Sequence, residues 1–287
     1  MPEAPEARAA ARYLTSRLGG DVLQRCRVLS LAALKTYQPS PDDLVGRQLD
    51  AVTTRGKYLQ LDFGGRWLVL HLSRGGWIKE LVRPPKAIPK PGRGPLALRL
   101  EWASGAVIDV TEAGTEKRLA AWITDDLSQI SQLADLGPEV TSDSLTLDVF
   151  VERLKSDGRS PIKNVLRDQH VIAGIGNAWS DEILHRAKLS PFQLASAMAD
   201  PQYAALYEAV NVTISDACAA LDGLALEDMK DSKRQKMRVH ARAGQACDVC
   251  GDTIKSESYA TRSFEYCPTC QTGGKPLADR RLSRLLK

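Results

Sequence analysis

Cys247-Asp248-Val249-Cys250 and Cys267-Pro268-Thr269-Cys270 place two CxxC pairs sixteen residues apart near the end of the chain. Four thiols at this spacing suit one tetrahedral zinc ion, each pair closing a knuckle around the metal. The stretch between them is long enough for a short hairpin and little else, so this end of the chain should fold as a metal-held β-hairpin. That constraint gives meaning to the charge distribution. Residues 233–287 carry 12 Lys/Arg against 5 Asp/Glu, so the rest of a chain with total charge +4 is net negative. A rigid basic hairpin is a shape suited to phosphate. A purely structural metal without a partner is the plainer alternative.

Composition narrows the class. At 287 residues, 43% of them hydrophobic, the chain can build two or three units with real cores. No run approaches the ~20 apolar residues of a membrane span. The opening MPEAPEAR is acidic at its start and lacks an apolar stretch, so no secretory signal is expected. Cys26 and Cys218 fall outside the two pairs and are expected to be buried thiols in a reducing, cytoplasmic compartment.

The pattern along the chain predicts an α+β fold. Residues 3–18 are Ala-rich with helical periodicity, and Pro5 is tolerated in a first turn. Between Leu49 and Ile123 come short β-rich runs: Lys57–Phe63, Trp67–Leu72, Ala97–Trp102 and Val107–Val110. Gly-Gly, Pro-Lys-Pro-Gly and Ser-Gly punctuate them. They read as an antiparallel sandwich carrying the first helix. After Leu136-Gly137-Pro138-Glu139 the period changes, and residues 143–226 are helical in pattern.

Chemistry begins at the second residue. Removal of Met1, usual before proline, leaves Pro2 as the N-terminus. A free α-amine titrates near 7.7–8 against about 10.4 for lysine, so roughly a hundredfold more of it is unprotonated at neutral pH. A secondary amine can attack a sugar C1′ or an aldehyde and form an iminium. Glu3 and Glu6 follow on the same turn, one able to protonate a leaving or ring oxygen and the other to orient. Alone, the pattern also fits a start signal and an acidic first helical turn.

Further motifs decide between these. MPEAPEAR resembles the N-terminus of the formamidopyrimidine-DNA glycosylase and endonuclease VIII family, whose chains begin Pro-Glu with a second Pro-Glu three residues on. Arg55-Gly56-Lys57-Tyr58-Leu59 is similar to the turn on which that family presents a lysine to DNA. Ile162-Lys163-Asn164-Val165-Leu166-Arg167-Asp168-Gln169, followed by Ala173-Gly174-Ile175-Gly176-Asn177-Ala178-Trp179-Ser180-Asp181-Glu182, resembles its helix-two-turn-helix element. The closing CxxC-x16-CxxC is followed by Gln271, as in the family. Four motifs in the family's order span the chain to residue 271.

The resemblance implies a bifunctional DNA glycosylase and abasic-site lyase of base excision repair. It implies a monomer acting on damaged double-stranded DNA, cytoplasmic and nucleoid-associated, with one structural Zn2+ and no membrane partner. The division would be residues 1–135 as the catalytic β-sandwich, 136–232 as the helix-two-turn-helix domain, 233–272 as the zinc hairpin and 273–287 as a basic tail. Pro2 would be the nucleophile, Glu3 the general acid and proton shuttle, and Glu6 a nucleotide-positioning group. Lys57 would bind a phosphate beside the lesion and assist proton transfer. Lys163, Asn177 and Arg262 would hold backbone phosphates, and Cys247, Cys250, Cys267 and Cys270 the zinc. A Gly174-Ile175-Gly176-Asn177 turn opening a helix suits an anion, and an arginine on a rigid hairpin offers phosphate a fixed fork. His71 and His170 read as structural groups.

The chain also departs from the family. Where purine-specific relatives insert a methionine after His71-Leu72, it has Ser73-Arg74-Gly75-Gly76, which makes Arg74 the candidate to fill the gap left by a flipped nucleotide. Where they carry an arginine- and phenylalanine-bearing wedge, it reads Asp109-Val110-Thr111-Glu112-Ala113-Gly114-Thr115-Glu116-Lys117-Arg118, without an aromatic. The first helix looks nearer the endonuclease VIII branch, which implies oxidised pyrimidines and abasic sites as substrates. The altered loops leave a second reading, a weak or inactive damaged-DNA binder on the same scaffold. The intact Pro2, Glu3, Glu6 and Lys57 argue against it.

Overall fold

The computed structural model describes residues 2–84, 90–92, 94–156, 160–259 and 262–277, with 258, 259 and 262 described by their backbone alone. Two compact units form, Met1–Leu136 with Leu221–Lys230, and Gly137–Ala220 with Asp231–Lys287. The chain therefore leaves the first unit at Leu136 and lends a later segment back to it. The expected helical and zinc-hairpin segments belong to one unit.

In the first unit, helix α1 (Ala4–Leu18) begins with Pro5 in its first turn and buries Ala7, Ala10, Ala11, Leu14 and Leu18. That spacing of three, four and seven puts the small and apolar side chains on one stripe. Eight strands follow in two antiparallel four-stranded sheets. One has the order β1 (Leu23–Val28), β6 (Leu96–Trp102), β7 (Val107–Glu112), β5 (Gly76–Glu80). The other runs β2 (Ala51–Arg55), β3 (Tyr58–Asp62), β4 (Trp67–His71), β8 (Ala120–Thr124). Leu59, Leu61, Leu68 and Leu70 join Leu98, Leu100, Trp102 and Ile108 in one core with α1, Leu221 and Leu226.

The second sheet is covered on its outer face as well. Val69 packs with Ile130 and Leu133, the latter on the short helix α2 (Ser131–Ala134). That is why β4, Trp67-Leu68-Val69-Leu70, reads as an unbroken apolar run rather than an alternating one. Thr15 pins α1 to the sheet: its Oγ1 accepts Val52 N–H at 2.9 Å and donates to Val52 O at 3.2 Å. Between β6 and β7 the buried Arg99 and Asp109 form a two-pronged pair, 2.7 Å at each prong.

The second unit holds α3 (Leu147–Ser156), α4 (Ile162–Arg167), α5 (Asn177–Arg186) and the 22-residue α6 (Asp200–Leu221), which ends where the chain returns to the first unit. After α7 (Met229–Lys236) comes an antiparallel hairpin, β9 (Lys255–Tyr259) and β10 (Arg262–Tyr266), then the short α8 (Pro268–Thr272). Among the described residues no helix is long and apolar enough to cross a membrane. The fold is α+β, as the pattern predicted. Two details differ. Lys57 lies in a turn before β3 rather than on the strand, and Cys26 and Cys218 are half-buried rather than buried.

Candidate active site and nucleic-acid interface

Pro2 is buried just before α1, and Glu3 and Glu6 are each 1% exposed. Burying two carboxyls is costly unless their oxygens find donors. A helix N-terminus supplies them, because its first N–H groups lack partners within the helix. Glu6 Oε2 accepts the backbone N–H of Glu3 at 2.8 Å, closing a capping box around the first turn. Helix formation thereby fixes Glu6 toward the backbone that carries Pro2 and Glu3.

α1 packs on the hairpin formed by β2 and β3. Arg55 faces Tyr58 across the tip, leaving Gly56 and Lys57 as a two-residue turn. Gly56 has φ 59°, the conformation a side chain resists and a primed hairpin turn requires at its first position. Lys57 is 8% exposed. Its influence is felt at His71, where burial and then the Lys57 charge push the imidazole down to about 4. His71 is therefore neutral, with its ring 4.6 Å from that of Tyr58. Arg55 extends the same turn by donating to Leu136 O at 2.8 Å.

The two loops that depart from the family lie together. Ala113 N–H donates to Gly75 O at 3.0 Å, and a Cβ on Gly75 would sit 2.2 Å from Ala113 O. Glycine is required there by close approach of backbone. Ser73 takes φ 51°, and Arg74 beside it is exposed. The loop after β7 is braced by Glu112, 4% exposed, whose Oε1 accepts Arg118 N–H at 2.7 Å and Leu119 N–H at 2.8 Å. Sequence reading passed over Glu112. An acidic residue seven positions before an apolar one carries no signal of its own.

In the second unit, α4 and α5 flank two turns stitched by Gln169. Its amide donates to Arg167 O and Ile175 O, each at 2.8 Å, and accepts from Gly174 N–H at 3.0 Å. Asn177 opens α5. Its Nδ2 donates to Ser263 O at 3.1 Å, and its Oδ1 is buried with no hydrogen-bond partner among the described residues. The structure thus brings Asn177 to the strand that begins with Arg262. The backbone of Arg262 faces Tyr259 across the hairpin, while its side chain lies outside the described residues, as do residues 278–287 of the basic tail.

Lys163, expected on a phosphate, is 4% exposed, and its ammonium is spent inside the unit. It pairs with Asp181, donates to Ser180 Oγ at 3.2 Å and approaches Asn177 O at 3.4 Å. Burial pushes Lys163 down and Asp181 up, and their mutual attraction opposes both shifts. The other Asp181 oxygen meets His240 Nδ1 at 2.8 Å, and Glu265 Oε2 lies 3.0 Å from the same nitrogen. Burial opposes a charge on His240, but the two carboxylates outweigh it and raise the imidazole to about 9. Asp181, His240 and Glu265 come close enough to suggest a metal site. With Lys163 and protonated His240 already balancing both carboxylates, they form an ion-pair network instead.

At the zinc end, Cys247 Sγ lies 3.9 Å from Cys270 Sγ, and Cys250 Sγ lies 3.3 Å from Cys267 Sγ. A tetrahedral ion with Zn–S near 2.3 Å sets its sulfurs about 3.8 Å apart, so these thiols fit one zinc ion. A closed set of four cysteines is a structural site, with no open position for substrate. Gln271 buttresses it, accepting Cys267 N–H at 2.9 Å and donating to Leu189 O at 2.9 Å. His185, which the sequence did not flag, stands 3.3 Å from Cys247 Sγ and can donate a ring N–H to that thiolate.

Comparison with known proteins converges on one family. Residues 1–115 match the formamidopyrimidine-DNA glycosylase N-terminal domain, residues 136–227 its H2TH domain, and residues 244–273 the zinc finger found in FPG and IleRS. The chain is 30% identical over 282 residues to the formamidopyrimidine-DNA glycosylase of Chloroflexus aurantiacus, across 94% of this chain and 98% of that one. The chain belongs to the formamidopyrimidine-DNA glycosylase family. It is also 53% identical over 152 residues to an uncharacterized formamidopyrimidine-DNA glycosylase-like protein of Mycobacterium tuberculosis, covering 53% of this chain and 94% of that one. Among solved structures, MutM (Fpg) of Thermus thermophilus superposes with TM-score 0.79 at 26% identity, over 96% of this chain and all of that one. MutM bound to DNA containing carbocyclic 8-oxo-G superposes with TM-score 0.82 at 22% identity, over 94% of this chain and all of that one, and so shares the fold. The four zinc cysteines and the two-turn element fall inside the matched domains.

Proposed function

We propose that this family member is a bifunctional DNA glycosylase and abasic-site lyase that uses Pro2 as its nucleophile. The observation that carries the proposal is the buried Pro2-Glu3-Glu6 cap of α1, in which a helix start holds two buried carboxyls directly after Pro2, whose nitrogen is a free amine once Met1 is removed. The Pro2 nitrogen attacks C1′ of the damaged nucleotide as the base leaves with the bonding pair, and the proton that the nitrogen gives up passes to the departing base. Glu3 delivers the proton that opens the sugar ring at O4′, and the iminium forms. Loss of a C2′ proton then expels the 3′ phosphate by β-elimination, and a second elimination expels the 5′ phosphate. Glu6, committed to the backbone, orients the nucleotide, while Lys57 binds an adjacent phosphate and assists proton transfer. Asn177, Arg262 and the α5 turn hold flanking phosphates; Lys163 contributes by balancing Asp181 behind them. Arg74, exposed on a loop anchored by backbone, fills the gap left by the flipped nucleotide. Zinc holds the hairpin in shape.

Incubation of Pro2-started protein with duplexes carrying 5-hydroxyuracil, dihydrouracil, 8-oxoguanine or an abasic site tests this by base release and strand scission. Release and nicking at oxidised pyrimidines above 8-oxoguanine is the expected ranking. Binding without release or nicking, even at abasic sites, leaves the inactive-binder reading in its place.

A further inference from the structure

α5 is buried along most of its length, yet Asn177, Asp181, Glu182 and His185 are polar and lie at helical spacing on one side. Each reaches the segment around the zinc. Asn177 donates to Ser263 O, and His185 meets Cys247. Glu182 accepts the backbone N–H groups of Arg238, Val239 and His240 at 2.8, 3.0 and 2.8 Å. Asp181 takes the single Nδ1–H of His240, and Glu265 Oε2 on β10 lies 3.0 Å from that nitrogen as an ion-pair contact, with no hydrogen bond of its own among the described residues. Zinc ligation fixes the two knuckles, but an isolated two-stranded hairpin is marginal in water and needs a lateral tie.

We infer that Asp181, acting through His240, is a positioning residue that sets β10, and with it Arg262, beside the start of α5 for phosphate binding. The inference rests on the phosphate-binding reading above. Lys163 gains a purpose under it. It pairs with the Asp181 oxygen that His240 does not use, so both oxygens are held and the carboxyl cannot turn away from His240. The tie works by geometry.

The test is a double-mutant cycle on the full zinc-loaded chain, reading affinity for an abasic-site duplex together with zinc content. His240→Ala is expected to retain its zinc and to lose about tenfold in affinity. His240→Gln, which keeps an N–H for Asp181, should recover part of that loss. Because His240 acts through the strand carrying Arg262, H240A with R262A should bind scarcely worse than R262A alone. H240A with K57A should instead show the product of the two losses. Unchanged affinity in H240A, or independent multiplication of H240A with R262A, overturns the inference and leaves the phosphate reading standing. Unchanged affinity in R262A overturns the reading and this inference with it. Should H240A lose zinc, H240Q decides by the same cycle.

Discussion

His71 in the first unit and His240 in the second are both half-buried, yet they are driven in opposite directions. Burial and the Lys57 charge push His71 down to about 4, whereas two carboxylates lift His240 to about 9 against its burial. The contrast runs through the two units. Around Pro2, buried polarity is supported by a helix start and a tight hairpin turn, which keep two carboxyls and a lysine in place. Around α5, charged groups are matched with one another, and what they produce is a fixed backbone. The first arrangement suits chemistry, the second suits grip.

The largest effect expected from breaking this contrast is removal of the metal. Structural zinc in small domains is worth about 10–16 kcal/mol of folding free energy. A strong chelator should unfold β9, β10 and the knuckles and abolish DNA binding, while amide exchange in α1 and the sandwich strands stays slow. Loss of protection in both units at once would mean that they are not separable in this way.

Substitution of Glu3 by Gln removes the proton donor and leaves the capping shape. Base excision should fall by about 10²–10⁴-fold while affinity for an abasic-site duplex changes little. Equal loss of both would make Glu3 a binding residue. Of comparable size in free energy, but in stability, is Arg99→Met, which strands Asp109 in the sandwich. Urea unfolding should show about 3–5 kcal/mol lost, and R99M with Asp109→Leu should recover most of it. This buried pair is the second unit's device used in the first unit, so the double variant tests whether the ion pair is needed there or merely tolerated.

Smaller, and opposite in sign, are the responses to pH. His71 has a folded value below the ordinary 6.5, so its contribution is present above about 6.5 and is lost as pH falls toward about 4. His240 has a raised value, so its contribution is complete below about 6.5 and is lost as pH rises through about 9. Exchange rates read unit by unit should therefore show the sandwich loosening first in acid and the α5–hairpin region first in mild base. His71→Phe and H240Q should each flatten only their own limb.

Much of this architecture was legible in the sequence because fixed spacings carry it. The paired CxxC motifs, the Pro-Glu start of α1 and the Gly174–Asn177 turn each demand particular residues at particular separations. β1, β2, β5 and β8 are not among the runs legible as strands: in β1, Arg25 and Arg27 interrupt the apolar pattern because they pair with Glu101 on β6, and β5 starts at a glycine hemmed in by Leu72 O. The ion-pair network was hidden for a different reason. Asp181 and Glu182 enter the sequence only as letters of the two-turn motif and His185 carries no signal there, so only the folded hairpin reveals what they meet. The partner of Lys163 was hidden in the same way. A lysine beside a glycine turn looks like a phosphate ligand until Asp181 is found within its reach.

The central claim is the Pro2 amine, and covalent capture tests it most directly. Borohydride added to Pro2-started protein with an abasic-site duplex should freeze an iminium as a stable adduct, and peptide mass mapping should place the DNA on the N-terminal nitrogen. Pro2→Gly or retention of Met1 should diminish or abolish the adduct while leaving duplex binding intact. An adduct mapped to Lys57 or another lysine, or none from protein that still binds the duplex, would contradict the account.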